Sequence, residues 1–207
     1  KDGYNVGKVS SAVQKKIKKY NAPKGYSITM KGEMESIQET TGQIGLMLLL
    51  AVAFMYLIMV AQFQSLKSPF IILFTIPMAF TGGFLGLLIT GKDLSAIAMI
   101  GFVMLAGIIV NNGIVLVDTI NQLRESGYEF EEAILTAGTM RVRPILMTAL
   151  TTILGLSTMA IGLGQGAEMM QPMAIVTIGG LIYGTLLTLL VVPCIYGLFN
   201  RRKKKAE

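Results

Sequence analysis

Five apolar stretches set what this chain can become: residues 43–63, 69–89, 94–118, 144–163 and 172–199. Each reaches the roughly 20 apolar residues that a helix needs to cross a hydrocarbon core. Helices that pack in a soluble core are shorter and keep a polar face, and these runs keep none. The chain is 53% hydrophobic and only 14% charged, whereas soluble domains carry about 25% charge. The expected fold is a mainly α membrane protein, a bundle of five transmembrane helices.

Several kinds of chemistry lack their residues. There is no His, and Cys194 is the single cysteine. One Cys makes neither an internal disulfide nor a CxxC site, so a structural zinc is not expected, and no cofactor is. Cys194 is expected as a small buried apolar residue. Asp118 is the only acid inside the five runs. An intramembrane protease would need a second acid, or a Ser/His or metal set, so an enzyme is not expected. The chain opens on Lys1 with no signal peptide, which suggests a piece of a longer protein beginning inside a domain.

Charge orients the bundle. The basic run Arg201-Arg202-Lys203-Lys204-Lys205 marks a cytoplasmic tail, residues 200–207. Working backward, the loops at 64–68 and 119–143 are cytoplasmic, with Lys67, Arg124, Arg141 and Arg143, and the outer loops at 90–93 and 164–171 carry only Lys92. Residues 1–42 then face outside. Their eight Lys are tolerated because long exported domains escape the charge rule. The segment "VGKVSSAVQKKIKKY" has helical spacing, "NAPKG" breaks it, and "YSITMKG" alternates like a strand. This is a short α+β remnant of an extracytoplasmic domain. Its lysines form a solvated face, not a nucleic-acid patch.

Pro69 opens the second run and Pro77 lies within it, where a kink is expected. Gly82 with Gly86, and Gly180 with Gly184, form GxxxG pairs that let helix backbones approach closely. Between the third and fourth runs, Phe130, Ile134, Ala137 and Met140 share one face of an amphipathic helix at about 128–140, expected along the cytoplasmic membrane surface. Pro144 then begins the fourth span. Arg141 and Arg143 either snorkel to headgroups or pair with a buried acid.

Polar groups inside spans are costly and mark function or interhelical contact. In "LAGIIVNNGIVLVD", Asn111 and Asn112 stand side by side and Asp118 closes the run. Asn111 and Asp118 are seven residues apart, so they share a face with Gly107 and Val115 and lie about 10 Å apart along the axis. Thr148 and Thr152 are one turn apart in the fourth span, with Arg141 roughly on their face. Two such helices, facing one another, would hold a chain of water along which a proton or small cation moves.

The ordered segments "YLIMVAQFQSLKSPFIILFTIPMAFTGG", "GFVMLAGIIVNNGIVLVD" and "AGTMRVRPILMTALTTILGL", then a last span containing Pro and a basic tail, together closely resemble the C-terminal membrane half of the resistance-nodulation-division (RND) efflux permeases, of the acriflavine-resistance, multidrug type. The resemblance covers residues 5 to 203. It implies that the five spans are the eighth to twelfth of a twelve-span permease and that residues 1–42 end its porter domain. It also implies a homotrimer in the inner membrane, driven by proton entry, that exports small-molecule drugs. A periplasmic adaptor and outer-membrane channel are implied where the host has an outer membrane.

Carried over by position, Asn111 stands where the family's tenth span often has Lys, and Asn112 matches the Asn that follows. Asp118 falls at an acidic position, and Arg141 and Thr148 match relay members of the eleventh span. The proton-binding Asp pair belongs to the fourth span, which is not in this sequence. Asn cannot switch charge as Lys does. Either Arg141 or another group supplies the positive charge, or the coupling cation differs, with sodium a candidate. The expected function is efflux of drugs or other small amphiphiles by cation antiport. The alternative is a lipid- or protein-export factor of the same superfamily.

Overall fold

Helix is the only regular structure in the described part of the computed structural model, which comprises residues 12, 13, 15–17, 19, 20, 23, 33–164 and 166–200. The chain divides into two units, Lys1–Leu46 and Met47–Glu207. In the first, residues 12, 13, 15–17 and 19 are helical and α1 (Glu33–Phe63) begins. The strand expected at 26–32 and the basic tail at 201–205 lie outside the described residues.

Five helical segments follow: α2 (Lys67–Leu73), α3 (Thr75–Thr90), α4 (Ala96–Glu125), α5 (Phe130–Ile161) and α6 (Ala167–Asn200). With α2 and α3 taken together, five helices are long and apolar enough to cross a membrane. The α2/α3 break falls at Phe74. Pro77 has no N–H to give the Leu73 carbonyl four residues earlier, so the helical ladder is interrupted there. Beside the break, the Thr75 hydroxyl donates to the Ile72 carbonyl at 2.6 Å.

Two helices run further than the apolar pattern implied. α4 continues through residues 119–125, expected as loop, and turns at Ser126–Glu129. Gly127, at φ 92°, adopts there a left-handed conformation that costs a residue without Cβ little. Residues 128–140 are not a separate helix. From Phe130 they run without interruption into the fourth span, with Pro144 inside α5. At 1.5 Å per residue, 32 residues extend about 48 Å, well beyond a 30 Å hydrocarbon core. Of the face expected to be apolar, Ala137 is buried and Phe130 and Ile134 pack on the core, but Met140 is exposed. Cys194, expected buried, is exposed.

Within the second unit, α4 and α6 are the centre. Half of their apolar windows are buried (56% and 50%), against 11% for α5. Apolar burial does not drive helices together in lipid, so fit and hydrogen bonding must do so. The fit is provided by small residues. A Cβ on Gly82 would lie 2.8 Å from the Gly179 carbonyl oxygen, and one on Gly179 would lie 2.8 Å from that of Gly82. The backbones of α3 and α6 therefore touch. Gly180 also lies against Leu105 and Gly184 against Ile109 of α4, and both meet Ala79 of α3. Two apolar clusters result, one around Ile72, Leu116, Val192 and Tyr196, the other around Ala79, Phe102, Leu105 and Leu181.

Candidate functional site: the polar residues of α4, α5 and α6

Helix α4 is fixed at its start by Ser95, whose hydroxyl accepts from the Ala98 amide at 3.1 Å. That caps one of the four unpaired donors of the first turn. The helix presents two polar stripes, rotated from each other by one residue.

The first stripe is the one expected from the sequence, and it faces outward. Gly107 and Asn111 are exposed, and Val115 and Asp118 half-buried. A Cβ on Gly107 would meet nothing within 4 Å. Asp118 accepts from Gln122 Nε2 on its own helix at 2.8 Å. No ion pair joins it to Arg141.

The second stripe faces inward and carries Leu105, Asn112 and Thr119, all buried and seven residues apart. Thr119 is where α4 meets α5. Arg141 Nε donates to the Thr119 hydroxyl at 2.6 Å, and that hydroxyl donates on to the Val115 carbonyl at 2.8 Å. Arg141 is thus held by a neutral acceptor, not by a carboxylate. A hydrogen bond in which the donor is ionised is roughly twice as strong as a neutral one.

Thr148 and Thr152 join neither stripe. Their hydroxyls donate to the Ile145 and Thr148 carbonyls of α5 itself. Thr148 is exposed, and neither forms a bond to another helix. The structure therefore brings together Arg141 and Thr119, and leaves Asn111, Asp118, Thr148 and Thr152 apart from that contact.

Sequence reasoning missed Thr119, because it fell in a segment taken for loop. It also passed over Thr185 and Thr188 of α6. Both hydroxyls are buried without a partner, as is Asn112 Nδ2. Further along α6, the Tyr196 hydroxyl donates to Asn121 Oδ1 at 2.6 Å. Its ring stacks on Phe130 at 6.2 Å, with the Arg124 guanidinium 5.3 Å from the Phe130 centroid. This corner borders a cavity of about 750 Å³ beside the α1–α2 turn, with Lys67, Asn121 and Glu125 in its wall. The arrangement can hold hydrogen-bonded groups and water within a bundle. Among the described residues, no group of three or more His, Cys, Asp or Glu is placed to hold a metal.

Comparison with known proteins shows the family and the fold of this chain. The AcrB/AcrD/AcrF family model matches residues 1–200. The swarming motility protein SwrC of Bacillus subtilis is 42% identical over 202 residues, covering 97% of this chain and 19% of that protein. The cobalt-zinc-cadmium resistance protein CzcA of Cupriavidus metallidurans is 38% identical over 205 residues, covering 99% and 19%. Among solved structures, the crystal structure of a heavy metal efflux pump superposes with a TM-score of 0.82 at 30% identity, over 95% of this chain and 20% of that one. The chain thus spans about a fifth of the length of these relatives.

Proposed function

We propose that this chain, which belongs to the AcrB/AcrD/AcrF family of RND efflux transporters, forms the second-half membrane bundle of a permease that exports drugs or other small amphiphiles by cation antiport. The permease lies in the bacterial inner membrane with its C-terminus cytoplasmic. It works as a homotrimer, with a periplasmic adaptor and an outer-membrane channel where an outer membrane exists.

The outward stripe of α4 carries this reading. Asn111 is exposed in the middle of an apolar span. An amide facing hydrocarbon is costly, so such a face belongs against protein or water. Gly107 beside it leaves room for a close neighbour. The rest of the permease supplies that neighbour, and the Asn111–Asp118 face together with its acids makes the cation path. Asn111 holds no switchable charge, and Arg141 is held by Thr119 on the inward stripe, so another group of the permease supplies the positive partner there, or the coupling ion is sodium. Amide and carboxylate oxygens are suitable hard ligands for it.

A second reading concerns the cargo. CzcA is named for cobalt, zinc and cadmium resistance, and a divalent cation is the substrate that would follow from it. The test is growth of an efflux-deficient host carrying the complete permease. Protection against amphiphilic dyes and detergents, with none against Co²⁺, Zn²⁺ or Cd²⁺, is the expected result. Protection against the metals alone would replace the first reading with the second.

A further inference from the structure

We infer that a bound water site lies inside the bundle where α4, α5 and α6 meet, held by Asn112, Thr185 and Thr188. The inference rests on buried groups without partners and does not depend on what the permease transports.

The three orphaned atoms, Asn112 Nδ2, Thr185 Oγ1 and Thr188 Oγ1, belong to residues that are 5%, 2% and 0% exposed. Native interiors satisfy nearly all such groups, with protein or with ordered water. The threonines make the point sharper. Thr119, Thr148, Thr152 and Thr177 each donate to a carbonyl of their own helix. Thr185 and Thr188 do not, although the same bond is open to any helical threonine.

The packing register brings the three together. Gly180 lies against Leu105, Gly184 against Ile109, and Tyr196 bonds Asn121, all at the same offset of 75 residues. α4 and α6 therefore run parallel, and Thr188 is level with Gly113 and its neighbour Asn112. Asn112 shares the stripe of Leu105, which faces α6. Thr185 and Thr188 are three apart, hence on one face of α6. On α5, which meets α4 through Arg141 and Thr119, the residue at this height and buried is Ala149. Its small side chain packs in the cluster of Ile109 and Leu181. Along α6, Thr185 and Thr188 lie between Leu181 of that cluster and Val192 of the other.

The chemistry selects the ligand. An amide N–H needs an acceptor, and two hydroxyls donate or accept as required. A water accepts from Asn112 Nδ2 and donates to the threonine oxygens, close to the three bonds a buried water typically makes. A cation cannot receive the amide proton.

The test uses the complete permease in lipid nanodiscs, with X-ray hydroxyl-radical footprinting and melting. Ile109 and Ile120 are both fully buried, but only Ile109 adjoins the polar layer. The expected result is labelling of Ile109 severalfold above Ile120. In Thr185→Val/Thr188→Val this excess should vanish and Tm should fall by several degrees, because the water loses two partners. Thr185→Ser/Thr188→Ser should restore the labelling. Equal labelling of Ile109 and Ile120 in the unmodified protein, or a Tm that rises in the double valine variant, would mean a dry layer and overturn the inference. A Tm raised by sodium but not by potassium, and lost with the hydroxyls, would overturn it in favour of a cation.

Discussion

Arg141 reaches from α5 to the Thr119 hydroxyl of α4 at 2.6 Å, so this guanidinium rests on a threonine and not on Asp118. This contact defines the inner corner of the bundle. It lies on the inward Asn112–Thr119 stripe of α4, away from the outward Asn111–Asp118 stripe.

Thr119→Val keeps the shape and removes the acceptor. A hydrogen bond to a charged group contributes about 1.5–3 kcal/mol, and Arg141 is half-buried, which places the loss toward the lower end. Thr119→Ser should retain most of the stability. Thermal unfolding of the complete permease in detergent checks both, and equal melting of the two variants would mean the bond contributes little.

The glycines make a differential prediction. Gly82→Ala drives a methyl toward the Gly179 carbonyl oxygen at 2.8 Å, backbone that cannot move without displacing α6. Overpacking of this kind costs roughly 1–3 kcal/mol. Gly155→Ala, where a Cβ meets nothing within 4 Å, should be neutral or stabilising by up to about 1 kcal/mol through helix propensity. The melting temperature of Gly82→Ala should fall, and that of Gly155→Ala should hold or rise.

Tyr196→Phe tests the α4–α6 corner. The ring and its stacking on Phe130 remain, and only the 2.6 Å bond to Asn121 is lost. A decrease of about 1 kcal/mol is expected. Asn121→Ala should cost no less, since it leaves a phenol without its acceptor. The check is a denaturant titration of both variants.

Pro77→Ala returns an N–H to the Leu73 carbonyl and should join α2 to α3 in one straighter helix. Spin labels on exposed Phe70 and Leu88 should move apart, as pulsed electron paramagnetic resonance would read. An unchanged distance would assign the break at Phe74 to packing.

How far the sequence reached is clear from these residues. The five spans are legible because long apolar runs leave a helix as the expected way through lipid. Their ends are not, because a helix does not stop where hydrocarbon does: α4 runs on to Glu125 and α5 starts at Phe130. Pro144 looks like a start signal and sits instead in a helix interior. The inward face was the hardest to place. A span that is apolar all round has no contrast to show which side meets its neighbours. Asn111 and Asn112 differ by about 100° of rotation, and spacing alone could not say which points in. The GxxxG positions were legible because closeness demands small residues. The waiting hydroxyls of Thr185 and Thr188 were not, since threonine in a span usually satisfies itself.

Export coupled to cation entry through α4 is the function proposed for the complete permease. Proteoliposomes holding the complete permease, with a proton or a sodium gradient imposed separately, measure this most directly. Flux of an amphiphilic dye should require one of the two gradients, and Asn111→Leu should abolish that dependence while the protein still assembles and melts normally. Dye flux that proceeds equally with no gradient, or an Asn111→Leu variant that couples as well as the unmodified protein, would contradict it.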